Sequence, residues 1–333
     1  MNELMVSVVF ITYNHEKYVR KALMSVLQQE TDFPFEVIVG EDCSTDNTRA
    51  ILQEIKELYP EQVKLLFREK NLGRPTLNVY QTSMECKGKY VAYLEGDDYW
   101  TDTKKLQKQV DYLEAHPEYI AVTHTCELVD EEDRTITDEN VRKIGEMYDW
   151  DGRFTFEDYK HQSNWAGHYG TVLCRNIYRE GKYDYSVLYK AHDFFDDGVI
   201  LMFLLLQGDI WRMKDTMSAW RYVRKKGGGN WNSISMNRDT IREDCYLTQH
   251  LLKWCIDNFG LTDDGRQIAN RDFETALNAF VHKPNGQNLK FVKDMFGYNI
   301  KEVVMQGQKT SLLTYSAKAV MKRLRRGKPT KQA

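Results

Sequence analysis

The stretch KYVAYLEGDDYW, residues 89–100, decides the fold. Its first half, residues 90–94, is a short run of β-branched and aromatic residues, which is typical of a buried strand. The run stops at EGDD, residues 95–98. Two adjacent carboxylates at the end of a strand repel each other unless a cation neutralises them, and their hard oxygen atoms suit Mg²⁺ or Mn²⁺. The alternative is that Asp98 only caps the helix that follows.

Strand and helix patterns alternate four times around this stretch, with short links. The expected strands are residues 6–12, 35–39, 63–67, 90–94 and 120–125, and the expected helices are residues 17–29, 50–59, 76–86 and 104–115. Such an order predicts an α/β fold with a mostly parallel, doubly wound, Rossmann-like sheet and right-handed crossovers.

Polar residues gather where the predicted strands end. Because the carboxyl ends of parallel strands share one edge of the sheet, these groups should face a common crevice, where ligands bind in open α/β sheets. One such group could be helix capping, but three at one edge indicate a site. Neither GxGxxG nor GxxxxGK[ST] is present, which disfavours a dinucleotide site or a P-loop. The three groups are Thr12-Tyr13-Asn14, Glu41-Asp42 and residues 95–98.

Composition excludes several classes of protein. The chain has 333 residues, of which 42% are hydrophobic, so it can bury a large core. Its net charge of −3 creates no field that attracts nucleic acid, and no nucleic-acid partner is expected. No apolar run has the length of a membrane span, and no secretory signal is expected. The six cysteines are scattered without a CxxC pair, which favours free thiols in a reducing cytoplasm.

Four successive segments resemble the signatures of family 2 glycosyltransferases with the GT-A fold, and they cover roughly the first third of the chain. The segments are VSVVFITYNHEKYVRKALMSVLQQ, FEVIVGEDCSTDNT, NLGRPTLNVY and GKYVAYLEGDDYW. The resemblance implies a metal ligand at Asp97, the last acid of an Asp-x-Asp motif. Glu41 and Glu95 stand where Asp is usual. The nucleotide-sugar contacts that we expect are Thr12, Tyr13, Asn14, Glu41, Asp42, Arg74, Glu95, Gly96, Asp98, Arg221 and Arg224.

A second acidic group, AHDFFDDG at residues 191–198, precedes an apolar helix predicted over residues 199–207. Acids suit a helix N-terminus, and capping accounts for one of them. The resemblance implies a catalytic base in an acidic pair before such a helix, which matches Asp196 and Asp197. We assign the base to Asp197, with Asp193 as the second choice.

The polar and aromatic segment HQSNWAGHYG, residues 161–170, precedes a predicted strand at residues 171–175. The resemblance places this segment towards the acceptor, so Trp165, His168 and Tyr169 are candidate sugar contacts. Packing is an equally good explanation of each. The acidic run at residues 130–133 is interpreted as a solvated turn.

Cations and glycines meet in RYVRKKGGGNW, residues 221–231. Residues 210–214 and 218–223 are expected to be edge strands, so this segment leaves the sheet as a loop. A mobile basic loop can close over a diphosphate and exclude water, which is the basis for including Arg221 and Arg224 among the donor contacts. The alternative is a flexible surface turn.

The last hundred residues are predicted to be helical, over residues 240–258, 265–280 and 289–296. We therefore expect a catalytic GT-A domain at residues 1–232 and a helical region at residues 233–333. That region ends in a basic amphipathic helix, which suits an anionic membrane surface. The alternative is docking on its own protein or on a second subunit in a homo-oligomer.

The resemblance thus implies an inverting glycosyltransferase that uses Mn²⁺ or Mg²⁺ and a nucleotide-sugar donor. From the habit of the family, UDP is the expected nucleotide, and the expected acceptor is a saccharide or a lipid-linked acceptor of cell-surface glycan synthesis. The expected location is cytoplasmic, with peripheral attachment to the inner face of the plasma membrane. Two other classes stay open at this point: a nucleotidyltransferase, and a non-catalytic subunit that binds a nucleotide sugar.

Overall fold

The computed structural model describes residues 3–139, 141, 150–161, 166–179, 181–190, 196–225, 233, 239–259 and 262–298. The chain divides into two compact units, Met1–Asn237 and Arg238–Ala333. The sequence places the domain boundary after residue 232, and that boundary stays a prediction.

The first unit is built on one mixed sheet with the strand order β3-β2-β1-β4-β8-β6-β9-β5, and β7 pairs with β9. The half from β3 to β4 is parallel, whereas β8 runs antiparallel to both of its neighbours. The strands are β1 (Val6–Thr12), β2 (Phe35–Glu41), β3 (Val63–Phe67), β4 (Tyr90–Glu95), β5 (Tyr99–Trp100), β6 (Tyr119–Val129), β7 (Gly152–Phe154), β8 (Leu173–Arg175) and β9 (Asp209–Arg221).

Helices follow the parallel strands, as the alternation predicts. They are α1 (Val19–Leu27), α2 (Thr48–Leu58), α3 (Pro75–Ser83), α4 (Lys105–Ala115), α5 (Phe156–His161), α6 (Val187–Lys190) and α7 (Asp196–Leu205). The predicted α/β class with a mostly parallel, doubly wound sheet is confirmed.

Strand β1 lies at the centre of the core, and all seven of its residues are buried. Val6, Val8 and Phe10 share one hydrophobic cluster with apolar side chains of α1, α2 and α4. The alternate residues Val9 and Ile11 are also buried, so both faces of the strand are covered. This burial explains why the strand reads as a continuous apolar run rather than an alternating one.

The prediction of two edge strands at residues 210–214 and 218–223 is wrong. The structure has one 13-residue strand, β9, which pairs with β6 on one side and with β5 and β7 on the other. The extra residues lie in β9: Arg212 pairs with Thr123 and Thr216 with Thr125, so the exposed polar segment, residues 214–216, bulges within one continuous strand. The end of β9 at Arg221 is therefore fixed inside the sheet.

The second unit contains the helices α8 (Thr240–Phe259), α9 (Thr262–His282) and α10 (Gly286–Tyr298), as the pattern predicts. Their shared core includes Phe273, Ala276, Phe291 and Met295. Among the residues described, none of the helices combines the length and apolarity that a membrane crossing requires. The predicted basic helix lies within residues 299–333, outside the described residues.

Candidate active site

The carboxyl ends of β1, β2 and β4 meet at one edge of the sheet. Thr12 is in register with Glu41, and Ile11 is in register with Glu95. The Asp42 N–H donates to the Thr12 carbonyl at 3.0 Å. The parallel pairing therefore brings the three predicted polar groups together, as the alternation of strands and helices implied.

Gly96 lies where the turn after β4 packs closely against the end of β1. A Cβ at this position would lie 2.5 Å from Thr12 Oγ1 and 2.9 Å from His15 Nδ1. Its N–H donates to the Ile11 carbonyl at 2.8 Å, so the turn cannot move away from β1. A side chain is excluded here because the turn after β4 lies directly against the end of β1.

The loop after β1 is held by side-chain hydrogen bonds. Asn14 has a φ of 55°, a left-handed conformation that Asn adopts more readily than most residues. Its Oδ1 accepts from Thr45 N–H at 2.8 Å, and its own N–H donates to Ser44 Oγ at 2.9 Å. These bonds join the β1 and β2 loops and leave Tyr13 40% exposed.

Glu41 and Asp42 differ in their surroundings. Glu41 is fully buried, accepts from Ser44 N–H at 2.5 Å and forms an ion pair with Arg49. Asp42 Oδ1 accepts from Leu72 N–H at 2.8 Å, and burial raises the pKa of its carboxyl group. Glu41 thus fixes the loop after β2, while Asp42 ties that loop to the turn before α3. Their contacts with a donor stay predictions.

Three side chains at this edge form a candidate metal cluster: Glu95, Asp98 and His168. Their ligand atoms all lie within 4.8 Å of one another. Asp98 Oδ1 accepts from Arg221 N–H at 2.7 Å, but the buried Oδ2 has no hydrogen-bond partner and lies 3.9 Å from His168 Nδ1. A buried carboxylate oxygen without a donor is what a cation ligand needs, so these residues fit a divalent metal ion.

The electrostatics of the cluster agree with this fit. Burial, and then the neighbouring Asp97 carboxylate, raise the pKa of Asp98 well above its usual value. Burial lowers the pKa of His168 to about 3, so its imidazole is neutral and can act as a ligand. The raised pKa of Asp98 reflects the cost of a buried negative charge beside Asp97, and a divalent cation bound there would offset that cost.

The structure places His168 with the acids, although its sequence position suggested an acceptor contact. Its ring stacks on Trp220 with centroids 4.4 Å apart, which fixes its orientation. Nothing in the sequence spacing connects residue 168 with residues 95–98; only the antiparallel β8 brings them together. Tyr169 is 2% exposed and packs on Tyr93, which favours the packing alternative for that residue.

Asp97 lies outside this three-residue cluster. Its Oδ2 is 3.9 Å from His15 Nε2, and its side chain is 16% exposed. The expectation that Asp97 binds the metal stays a prediction, and Glu95, Asp98 and His168 form a second candidate ligand set.

The predicted cations occupy different environments. Arg221 is 3% exposed at the end of β9, Arg224 is exposed, and Arg74 donates from Nη2 to the Tyr189 carbonyl at 2.8 Å. Contacts of these three residues with a diphosphate stay predictions. The glycines of the basic segment, residues 227–229, lie outside the described residues.

The predicted base lies at the start of α7, which begins at Asp196. The backbone of Asp197 is in the first turn of that helix, but the side chains of both acids fall outside the description, as do Asp193 and Trp165. The assignment of the base to Asp197 therefore stays a prediction.

Comparison with known proteins identifies the class that this fold and this edge define. The protein family described as "Glycosyl transferase family 2" matches this chain over residues 7–181, which is more than half of its length. The chain belongs to glycosyltransferase family 2, and the resemblance noted in the sequence is confirmed.

Similar sequences cover mainly the N-terminal part. The uncharacterized protein Rv1520 of Mycobacterium tuberculosis is 42% identical over 126 residues, which are 38% of this chain and 36% of that protein. The poly(ribitol-phosphate) beta-N-acetylglucosaminyltransferase TarS of Staphylococcus aureus is 34% identical over 113 residues, which are 33% of this chain and 19% of TarS. The chain thus matches about a third or less of the length of these relatives.

Solved structures extend the likeness in fold. The crystal structure of S. aureus TarS 1-349 in complex with UDP-GlcNAc has a TM-score of 0.62 at 21% identity and covers 90% of this chain and 82% of that chain. The complex with UDP has a TM-score of 0.64 at 19% identity and covers 98% of this chain and 92% of that chain. At this identity the comparison establishes the GT-A fold alone.

Proposed function

We propose that this chain is an inverting glycosyltransferase that transfers a sugar from a nucleoside diphosphate donor, with UDP as the nucleotide, to a hydroxyl group of a saccharide or lipid-linked acceptor. The family membership supports the reaction class. UDP as the nucleotide is supported by the TarS complexes with UDP-GlcNAc and UDP, and a glycan-type acceptor is supported by the name of TarS, which refers to poly(ribitol-phosphate).

The observation that carries the proposal is the convergence of carboxylates at the ends of the parallel strands. Asp42 follows the end of β2, Glu95 ends β4 and Asp98 follows it, so all three lie at the carboxyl edge where open α/β sheets bind ligands. The buried Asp98 Oδ2 without a hydrogen-bond partner points to a positively charged occupant. Burial of an oxygen without a hydrogen-bond donor lowers the stability of the fold, so stability alone does not explain its presence.

Each group then has a distinct task. Glu95, Asp98 and His168 would hold Mn²⁺ or Mg²⁺, and Asp97, the ligand that the resemblance implies, is the alternative carboxylate. A cation bound there neutralises the charge of the departing diphosphate. Asp197, with Asp196 beside it and Asp193 as the second choice, takes the proton from the acceptor hydroxyl, a role worth roughly 10²–10⁴-fold in rate.

The direct test is a donor screen on the full chain. UDP-GlcNAc and other nucleotide sugars are incubated with Mn²⁺, and the release of UDP is measured with and without EDTA. We expect slow metal-dependent hydrolysis of at least one UDP-sugar and none in EDTA.

The same screen separates the other classes. Binding of a UDP-sugar without any release of UDP, even with ribitol-phosphate or saccharide acceptors, would indicate a non-catalytic binding subunit. Release of pyrophosphate from a nucleoside triphosphate would indicate a nucleotidyltransferase.

We also propose that residues 1–232 carry the catalysis and that the basic C-terminal segment attaches the enzyme to the inner face of the plasma membrane. The net positive charge of residues 303–333, which contain no acidic residue, supports this attachment. Co-sedimentation with anionic vesicles, compared with neutral ones, tests it; equal recovery with both would contradict it.

A further inference from the structure

Arg221 makes contacts that explain how the acidic turn after β4 is held in place. Its N–H donates to Asp98 Oδ1 at 2.7 Å, and its Nε donates to the Asp97 carbonyl at 2.8 Å. We propose that Arg221 is a positioning residue that orients the Asp98 carboxylate for the cation, rather than a ligand of the diphosphate. This inference rests on the proposed function and deepens it.

The guanidinium group is fully engaged within the protein. Besides Asp97, it donates from Nη1 to the Asp130 carbonyl at 2.5 Å and from Nη2 to the Asp133 carboxylate. One face of the group lies over the Tyr18 ring, 4.1 Å from its centroid. All three nitrogens therefore have acceptors, and the side chain is only 2% exposed. A phosphate could not reach it without breaking these bonds.

The acidic run at residues 130–133 supplies two of the acceptors that hold the Arg221 guanidinium group. Asp133, which has a left-handed φ of 64°, forms ion pairs with both Arg221 and Lys21. Lys21 Nζ lies 2.9 Å from Asp133 Oδ2. Burial opposes ionisation of this carboxyl group, but hydrogen bonds from Lys21 and Arg221 hold its pKa below the usual value. Residues 131–133 are an exposed turn, as the sequence predicts, and within it Asp133 links Lys21 of α1 to Arg221 of β9.

The two oxygens of the Asp98 carboxylate have different surroundings. Arg221 N–H occupies Oδ1, so the carboxylate is turned with Oδ2 towards His168. The side chain of Arg221 keeps the end of β9 against residues 97–98 and so keeps that N–H in place. Partners that orient ligands in this way commonly account for 10–100-fold in metal affinity.

The experiment uses the full chain and three variants: Arg221→Lys, Asp133→Asn and the control Arg153→Lys. Arg153 of β7 forms an ion pair with Asp209, which lies at the opposite end of β9 from Arg221. Its replacement by Lys therefore controls for the general effect of exchanging a guanidinium group for an ammonium group. Binding of Mn²⁺ alone is followed by electron paramagnetic resonance of the free ion. Hydrogen exchange of the peptide covering residues 94–100 is measured without metal.

We expect Arg221→Lys to weaken Mn²⁺ binding by roughly 10–100-fold and Asp133→Asn by a smaller factor, with faster exchange at residues 97–98 in both and no change in the control. The Asp133 side chain is partly exposed, so Asp133→Asn should fold. This variant therefore tests the role of Arg221 if Arg221→Lys does not fold.

Two results would overturn the inference. The first is Mn²⁺ affinity and amide exchange in both variants within twofold of the wild type. The second is weaker binding of metal-free UDP in Arg221→Lys with unchanged Mn²⁺ binding, which would make Arg221 a diphosphate ligand. A wild type that takes up no Mn²⁺ would count against the proposed cation site, whereas the exchange measurement would still test the role of Arg221.

Discussion

Replacement of Asp98 by Asn should stabilise the metal-free protein while removing its response to metal. The carboxylate is buried at 3% exposure, its Oδ2 has no hydrogen-bond partner, and burial together with Asp97 raises its pKa. Asn has nearly the same shape, keeps an oxygen for Arg221 N–H, and places an N–H₂ donor on the side of His168 Nδ1.

The magnitude follows from the unsatisfied oxygen. A buried polar atom without a partner costs about 1–3 kcal/mol. For a unit of the size of Met1–Asn237 each kcal/mol changes the melting temperature by about 2–4 °C, so Asp98→Asn should melt about 2–12 °C higher in EDTA. The wild type should instead gain about 2.7 kcal/mol when Mn²⁺ and UDP are present at a hundred times their dissociation constant, and the variant should gain none.

The assay is thermal denaturation of the wild type and the variant in EDTA and in Mn²⁺ with UDP. Asp111→Asn, a change on the exposed face of α4, is the control and should behave as the wild type in both conditions. Asp97→Asn separates the two ligand assignments, because it loses the metal response only if Asp97 is a ligand. A lower melting temperature of Asp98→Asn in EDTA, or a metal response equal to that of the wild type, would refute the reasoning.

Three further predictions concern other parts of the chain. Asp197→Asn should bind the donor normally but lose roughly 10²–10⁴-fold in transfer rate, and normal turnover would remove Asp197 from the mechanism. Gly96→Ala should lower the free energy of unfolding by about 1–3 kcal/mol, because its Cβ would lie 2.5 Å from Thr12 Oγ1; an unchanged urea midpoint would contradict this. Burial raises the pKa of Asp272 from 3.8 to about 6 despite a hydrogen bond from Gln249, so the folded state favours the protonated carboxyl group. The resulting stability is complete below about pH 4 and is lost as the pH rises through 6, about 3 kcal/mol in total. Urea denaturation between pH 4 and pH 8 should show this loss in the wild type and a flatter profile in Asp272→Asn.

The parallel half of the sheet could be predicted from the sequence because each element carries its own local signal. Fully buried strands such as Val6–Thr12 read as apolar runs, and helices such as Val19–Leu27 have apolar residues at helical spacing. The polar residues at the strand ends then follow from topology alone, since parallel strands share one carboxyl edge.

The mixed half of the sheet, from β8 to β5, could not be predicted in the same way. Strand β9 contains an exposed polar segment that resembles a break in the sequence, but β9 pairs with β6 on both sides of that segment. His168 reaches the acids through a contact across the sheet that no spacing in the sequence encodes. The environment of Arg221 could not be predicted either. The neighbouring cations and glycines predict a mobile loop, but Arg221 is buried and pairs with Asp133, which is distant in sequence.

The central claim is that a cation binds at the carboxyl edge of the sheet and that Asp98 holds it. Anomalous diffraction from crystals of the protein soaked with Mn²⁺ and UDP measures this directly. The account predicts an anomalous peak within roughly 2–2.5 Å of carboxylate oxygens of Glu95 and Asp98, next to the diphosphate. Bound UDP with no Mn²⁺ peak at residues 95–98, or a peak on an unrelated surface, would contradict it.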